Sequence, residues 1–194
     1  MGTEAKKFAH YNDILALPEH LIGEIINGEL IASPRPGPRH TRSASALGGA
    51  IFNPFDCGGD GPGGWWILDE PEIHLNTNVI VPDLAGWRKE LVPNLPTAKA
   101  YFEIVPQWVC EVLSKKTAVL DRIKKMPIYA KARVDYVWLV DPEQKTLEVY
   151  LREDQRWILF NSFSGDEIIR AEPFDAIEIN LGSLWLPDDK HEEN

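Results

Sequence analysis

The chain has 194 residues, 44% hydrophobic and 26% charged, which fits one globular domain and excludes a fibrous or wholly disordered protein. No run reaches the roughly 18 uninterrupted apolar residues of a membrane span. The net charge of −10 excludes a uniformly basic surface. The opening MGTEAKKFAH has no apolar signal core, and Lys6 breaks the myristoylation pattern, so a cytoplasmic protein is expected. Cys57 and Cys110 form no CxxC pair and read as two reduced thiols.

In chain order, YNDILALPEH predicts a short helix capped by Asn12 or Asp13 and stopped at Pro18. LIGEIINGELIAS alternates about an Asn-Gly pair and predicts a hairpin. PRPGP is a stiff extended connector. A helix follows over 41–52, weakened by Gly48 and Gly49, and DCGGDGPGG predicts a loop tip. WWILDEPEIHLNTNVIVPDLAGW predicts two strands joined through NTN, and a further strand surrounds Val109. A basic helix spans 118–133. DYVWLVDPEQKTLEVYL, RWILFNSF and AIEINLGSLW complete the strands, with turns at DPEQ and FSGDE. The order predicts a single α/β (α+β) domain over 1–186, one mostly antiparallel sheet flanked by helices, and a disordered acidic tail over 187–194. The aromatic pairs at 65–66 and 136–138 are read as core.

Charge is unevenly spread. Residues 33–43 hold Arg35, Arg39 and Arg42 with no acid, and residues 115–133 hold Lys115, Lys116, Arg122, Lys124, Lys125, Lys131 and Arg133 against Asp121 alone. Half of the 20 basic residues therefore sit in two short segments, enough for a basic face on an acidic protein.

Two strand-like segments each carry an acid where core residues belong, Asp83 in VIVPDLAGW and Glu111 in QWVCEVL. Antiparallel strands bring such a pair side by side. Glu111 shares a face with Val109 and Leu113, and a helix lysine packed there could cover both carboxylates. Two adjacent acids repel unless a cation holds them. Mg²⁺ suits, since it takes one or two carboxylates plus waters and substrate phosphate, and it would lower the pKa of a bound water. Simpler roles stay open. Asp83 can be an exposed turn acid, and Glu111 can form a salt bridge to Lys125 or Arg122.

GEIINGELIASPRPGPRH (23–40), VPDLAGW (81–87), CEVLSKKT (110–117), DRIKKMPIYAKARV (121–134) and DYVWLVDPEQKTLEVY (135–150) resemble the Uma2 (DUF820) family of endonucleases in the PD-(D/E)xK superfamily. The resemblance implies a restriction-endonuclease-like core and Mg²⁺- or Mn²⁺-dependent hydrolysis of DNA. It implies Asp83, Glu111 and the carbonyl of Val112 as metal ligands. The superfamily lysine two residues after the glutamate is here Leu113, and the match places a helix lysine, Lys125, in its stead. Geometry at about 100° per residue leaves Lys124 in reserve. Pro127 removes one helix hydrogen bond and leaves that lysine's aim open. His40 can contact phosphate or the attacking water, or start a helix. Glu24 and Glu29 can assist the metal or be surface acids of the hairpin. Arg35, Arg39, Arg42, Lys115, Lys116 and Arg122 are the expected backbone grips. A homodimer through an exposed strand edge is compatible. The alternative is a nuclease scaffold without turnover, binding metal or a partner protein. A weaker alternative is a hydrolase for small phosphodiesters.

Overall fold

The computed structural model describes residues 8–187. Residues 188–194 of the acidic tail therefore lie outside the described residues. The Asn27-Gly28 pair adopts left-handed φ angles of 53° and 78°, the geometry of a two-residue hairpin turn, and joins β1 (Leu21–Ile26) to β2 (Glu29–Pro34). A short helix, α1 (Tyr11–Leu15), precedes them. Its cap is His10 rather than Asn12 or Asp13, because Asp13 sits in the first turn and accepts the His10 N–H at 2.7 Å.

The second helix, α2, starts earlier than expected, at Pro38, and runs to Ile51. A proline fits a first helical turn, where its missing N–H has no partner to lose. The stretch expected as two strands holds four: β3 (Trp65–Asp69), β4 (Ile73–Leu75), β5 (Asn78–Ile80) and β6 (Leu84–Arg88). Glu70-Pro71 and Pro82 interrupt the ladders, since proline cannot donate to them. NTN turns only between the short β4 and β5. Two main sheets result where one was expected. One has the order β2-β1-β5-β4. The other combines β3 and β6 with β7 (Trp108–Val112), β8 (Tyr136–Asp141), β9 (Thr146–Glu153) and β10 (Arg156–Ser164), in the order β10-β9-β8-β7-β6-β3. Only β7 and β8 pair in parallel in that larger sheet; its other pairs are antiparallel. A ribbon of β11 (Ile168–Ile169) and β12 (Ile179–Asn180) ends the strands.

Alternation along β7 divides the core. Trp108, Cys110 and Val112 join Trp138, Phe174 and the α2 residues Leu47 and Ile51 on one face. Val109 and Leu113 join Ile26, Ile80, Met126 and Tyr129 on the other. Of the aromatics expected in the core, Trp65 and Trp138 are buried while Trp66 and Tyr136 are only half-buried, and Trp138 meets Trp108 and Phe174 edge to face.

The basic helix has three parts, α3 (Ala118–Leu120), a wide π turn over Asp121–Lys125, and α4 (Met126–Ala132). The Met126 N–H reaches the carbonyl of Asp121, five residues back. Pro127 has no N–H to give Ile123, and the wider turn accommodates that loss without ending the helix.

Trp138→Ala should destabilise the fold by about 3–5 kcal/mol, since its indole N–H also bonds the Glu172 carbonyl at 2.8 Å. Urea denaturation measures it, and a loss below about 1 kcal/mol would contradict this view of the core.

Candidate active site

Pairing of β6 with β7 sets Leu84 opposite Cys110, so Asp83 and Glu111 come level at the adjoining position. Asp83 is not an exposed turn acid: its side chain is 15% exposed. Its Oδ2 accepts the Val112 N–H at 2.7 Å, and its Oδ1 lies 3.2 Å from His40 Nε2. The His40 Nδ1 is buried without a hydrogen-bond partner. Burial, the largest single influence, lowers the His40 pKa, but the hydrogen bond and charge of Asp83 together with the charges of Asp121 and Glu70 make the net shift upward.

Behind this pair, Lys125 Nζ stands 3.0 Å from Glu24 Oε1, 3.3 Å from Glu111 Oε1 and 3.4 Å from Asp121 Oδ1. All four side chains are at most 7% exposed. Glu24 reaches in from β1 and also accepts the Val81 N–H at 2.9 Å, which ties the two sheets together at the site. The Tyr129 hydroxyl donates to Glu111 Oε1. Three acids around one ammonium cannot all ionise cheaply. Burial pushes Glu111 well above the usual carboxylate range against the pull of Lys125, and raises Asp121 in the same way. Burial disfavours the charged Lys125, yet Glu111, Glu24 and Asp121 hold it firmly protonated.

These groups floor a cleft of about 1030 Å³ whose lining includes Arg35, Arg39, Lys115 and Lys116. Acids answer most of these cations: Arg35 pairs with Glu70 at 3.2 Å, and Glu143 lies 3.9 Å from Arg39 and 3.8 Å from Lys115. Arg42 and Arg122 lie outside the cleft lining. Arg42 donates to the Ser183 carbonyl at 2.6 Å, and Arg122 pairs with Glu148 at 2.7 Å. Lys124 turns away to Glu29 at 2.9 Å, so Lys125 and Glu24 are the lysine and hairpin acid brought to Glu111.

Sequence reasoning gave Asp121 and Tyr129 no role. Their spacing with Lys125, i, i+4 and i+8, was the available signal. Among the described residues, no group of three or more His, Cys, Asp or Glu side chains is disposed to hold a metal. The donors on offer are two carboxylates and, beside them, the Val112 main chain. That set fits Mg²⁺, which keeps several waters and needs few protein ligands.

The fold is that of a DUF820 protein from Anabaena variabilis ATCC 29413, described as "a putative nuclease", at TM-score 0.71 and 22% identity over 89% of this chain and 95% of that one. The Uma2 family model, "Putative restriction endonuclease", matches residues 8–182, and the chain belongs to that family. No curated protein matches it.

Tyr129→Phe should cost about 1–3 kcal/mol of stability, because a buried carboxylate oxygen loses its donor. Chemical denaturation checks this, and an unchanged midpoint would mean the hydroxyl does not hold Glu111.

Proposed function

We propose that the protein is a Mg²⁺- or Mn²⁺-dependent endonuclease that hydrolyses DNA phosphodiester bonds in a reducing cytoplasm. One observation carries the reading: Asp83 and Glu111 stand level across β6 and β7 at the floor of a cleft, with Lys125 against Glu111. Asp83, Glu111 and the Val112 carbonyl would hold the ion. When bound, it would supply a water of lowered pKa and screen charge on the phosphate. The Val112 N–H fixes Asp83, and Tyr129 fixes Glu111. The Lys125 ammonium would orient the attacking water and stabilise the charge that develops during attack. Water displaces the leaving oxygen in line, so no enzyme adduct forms. His40 would hold Asp83 in place, and the cations Arg35, Arg39, Lys115 and Lys116 would contact the backbone.

A second reading, the same scaffold without turnover, draws on Glu70 and Glu143, which partly neutralise the cleft's basic side chains. Nicking of supercoiled plasmid with Mg²⁺, Mn²⁺ or EDTA separates the two. Metal-dependent nicking should fall at least 100-fold in Asp83→Ala and in Lys125→Ala, on the order expected for loss of charge stabilisation at the reacting phosphate. Metal binding without nicking would favour the second reading.

A homodimer belongs to the same proposal. The strand β10 ends its sheet among the described residues and exposes Ile158, Leu159 and Phe160 in succession. The register shift at Phe160 interrupts a regular backbone edge, so these apolar side chains would carry the contact. Sedimentation should give a dimer that Leu159→Lys splits. A monomer at all concentrations would remove the dimer and leave the nuclease reading intact.

A further inference from the structure

We infer that Lys125 is a tethered cation, shared among Glu24, Glu111 and Asp121, whose contact with Glu111 a divalent ion would displace while Glu24 and Asp121 retain it. The inference rests on the metal reading above and adds a competition within the site. Its basis is the arrangement of contacts. Glu111 Oε1 is taken by the Tyr129 hydroxyl, so Oε2 is the oxygen left for an ion. The Lys125 Nζ straddles the carboxyl group, 3.3 Å from Oε1 and 3.4 Å from that same Oε2. An ion on Oε2 would therefore meet a like charge at close range in a site with little water to screen it.

The ammonium has somewhere to go. Glu24 Oε1 is its shortest contact, at 3.0 Å, and is itself anchored by the Val81 N–H. Asp121 lies one turn back along the same helix, at 3.4 Å. Neither acid is needed as a metal ligand. Their work is to hold a cation that would otherwise stay on Glu111. The same ammonium keeps the buried acids together in the metal-free protein.

The test is calorimetric titration of Mn²⁺ alone into DNA-free protein. Lys125→Met should bind Mn²⁺ at least tenfold tighter than wild type, and Glu24→Gln several-fold weaker, because its lysine stays on Glu111. The Glu24→Gln effect should largely vanish in the Lys125→Met background, since it acts through the lysine. Additive effects of the two substitutions, the behaviour of independent charges, would overturn the inference. Glu29→Gln removes a charge from the same hairpin without touching Lys125, and should change the affinity little. If Lys125→Met does not fold, the comparison of Glu24→Gln with Glu29→Gln decides, and equal effects overturn the inference. Wild type that binds no Mn²⁺ contradicts the metal reading and the inference together. Wild type that binds, with Lys125→Met unchanged, contradicts the inference alone.

Discussion

A single buried ammonium surrounded by carboxylates organises this molecule. Lys125 offers one positive charge to three acids, Glu24, Glu111 and Asp121, which cannot all ionise beside it, and all four groups are withdrawn from water. Such a cluster persists only where backbone donors and neighbouring hydroxyls satisfy the remaining lone pairs. Here the Val81 N–H serves Glu24, and the Tyr129 hydroxyl serves Glu111. The small sheet contributes Glu24, the large sheet Glu111, and the segmented helix both Asp121 and Lys125. Their relative placement is therefore bound to the site itself.

The helix makes this arrangement through a local irregularity. Regular α-helical spacing does not choose between Lys124 and Lys125 as the residue facing Glu111. The π turn over Asp121–Lys125 settles the phase, burying Asp121 and Lys125 and sending Lys124 to Glu29. Pro127 marks the place in the sequence, because it withholds the N–H that a regular turn would use there. A wide turn beside functional side chains is a recurrent way to aim them.

Much of the plan was legible in the sequence for specific reasons. Asn27-Gly28 announces its hairpin, and the alternation of WVCEVL places Glu111 on the face that meets the basic helix. The adjacency of Asp83 and Glu111 was legible from two strand-like segments that each carry one acid, although Asp83 lies one residue before β6 begins. The division into two sheets was less visible, since Pro71 and Pro82 could equally have marked loops within one sheet. The pairing of the cleft's cations was not legible at all. Glu70 and Glu143 are distant in sequence from Arg35 and Arg39, and only the tertiary fold brings them together. Net charge by segment therefore did not reveal that three of the cleft's cations have acidic neighbours.

The central claim is that Asp83 and Glu111 stand together to share a divalent ion, with Lys125 beside them. Anomalous scattering from crystals grown with Mn²⁺ tests it most directly. The expected result is a single strong peak between the Asp83 and Glu111 carboxylates, next to Val112, with the Lys125 ammonium moved away from Glu111 beyond the 3.3 Å it keeps without the ion. A peak bound elsewhere, or none at saturating Mn²⁺ with Lys125 still on Glu111, would contradict it. The cluster would then be a structural ion-pair network, and the cleft would need another chemistry.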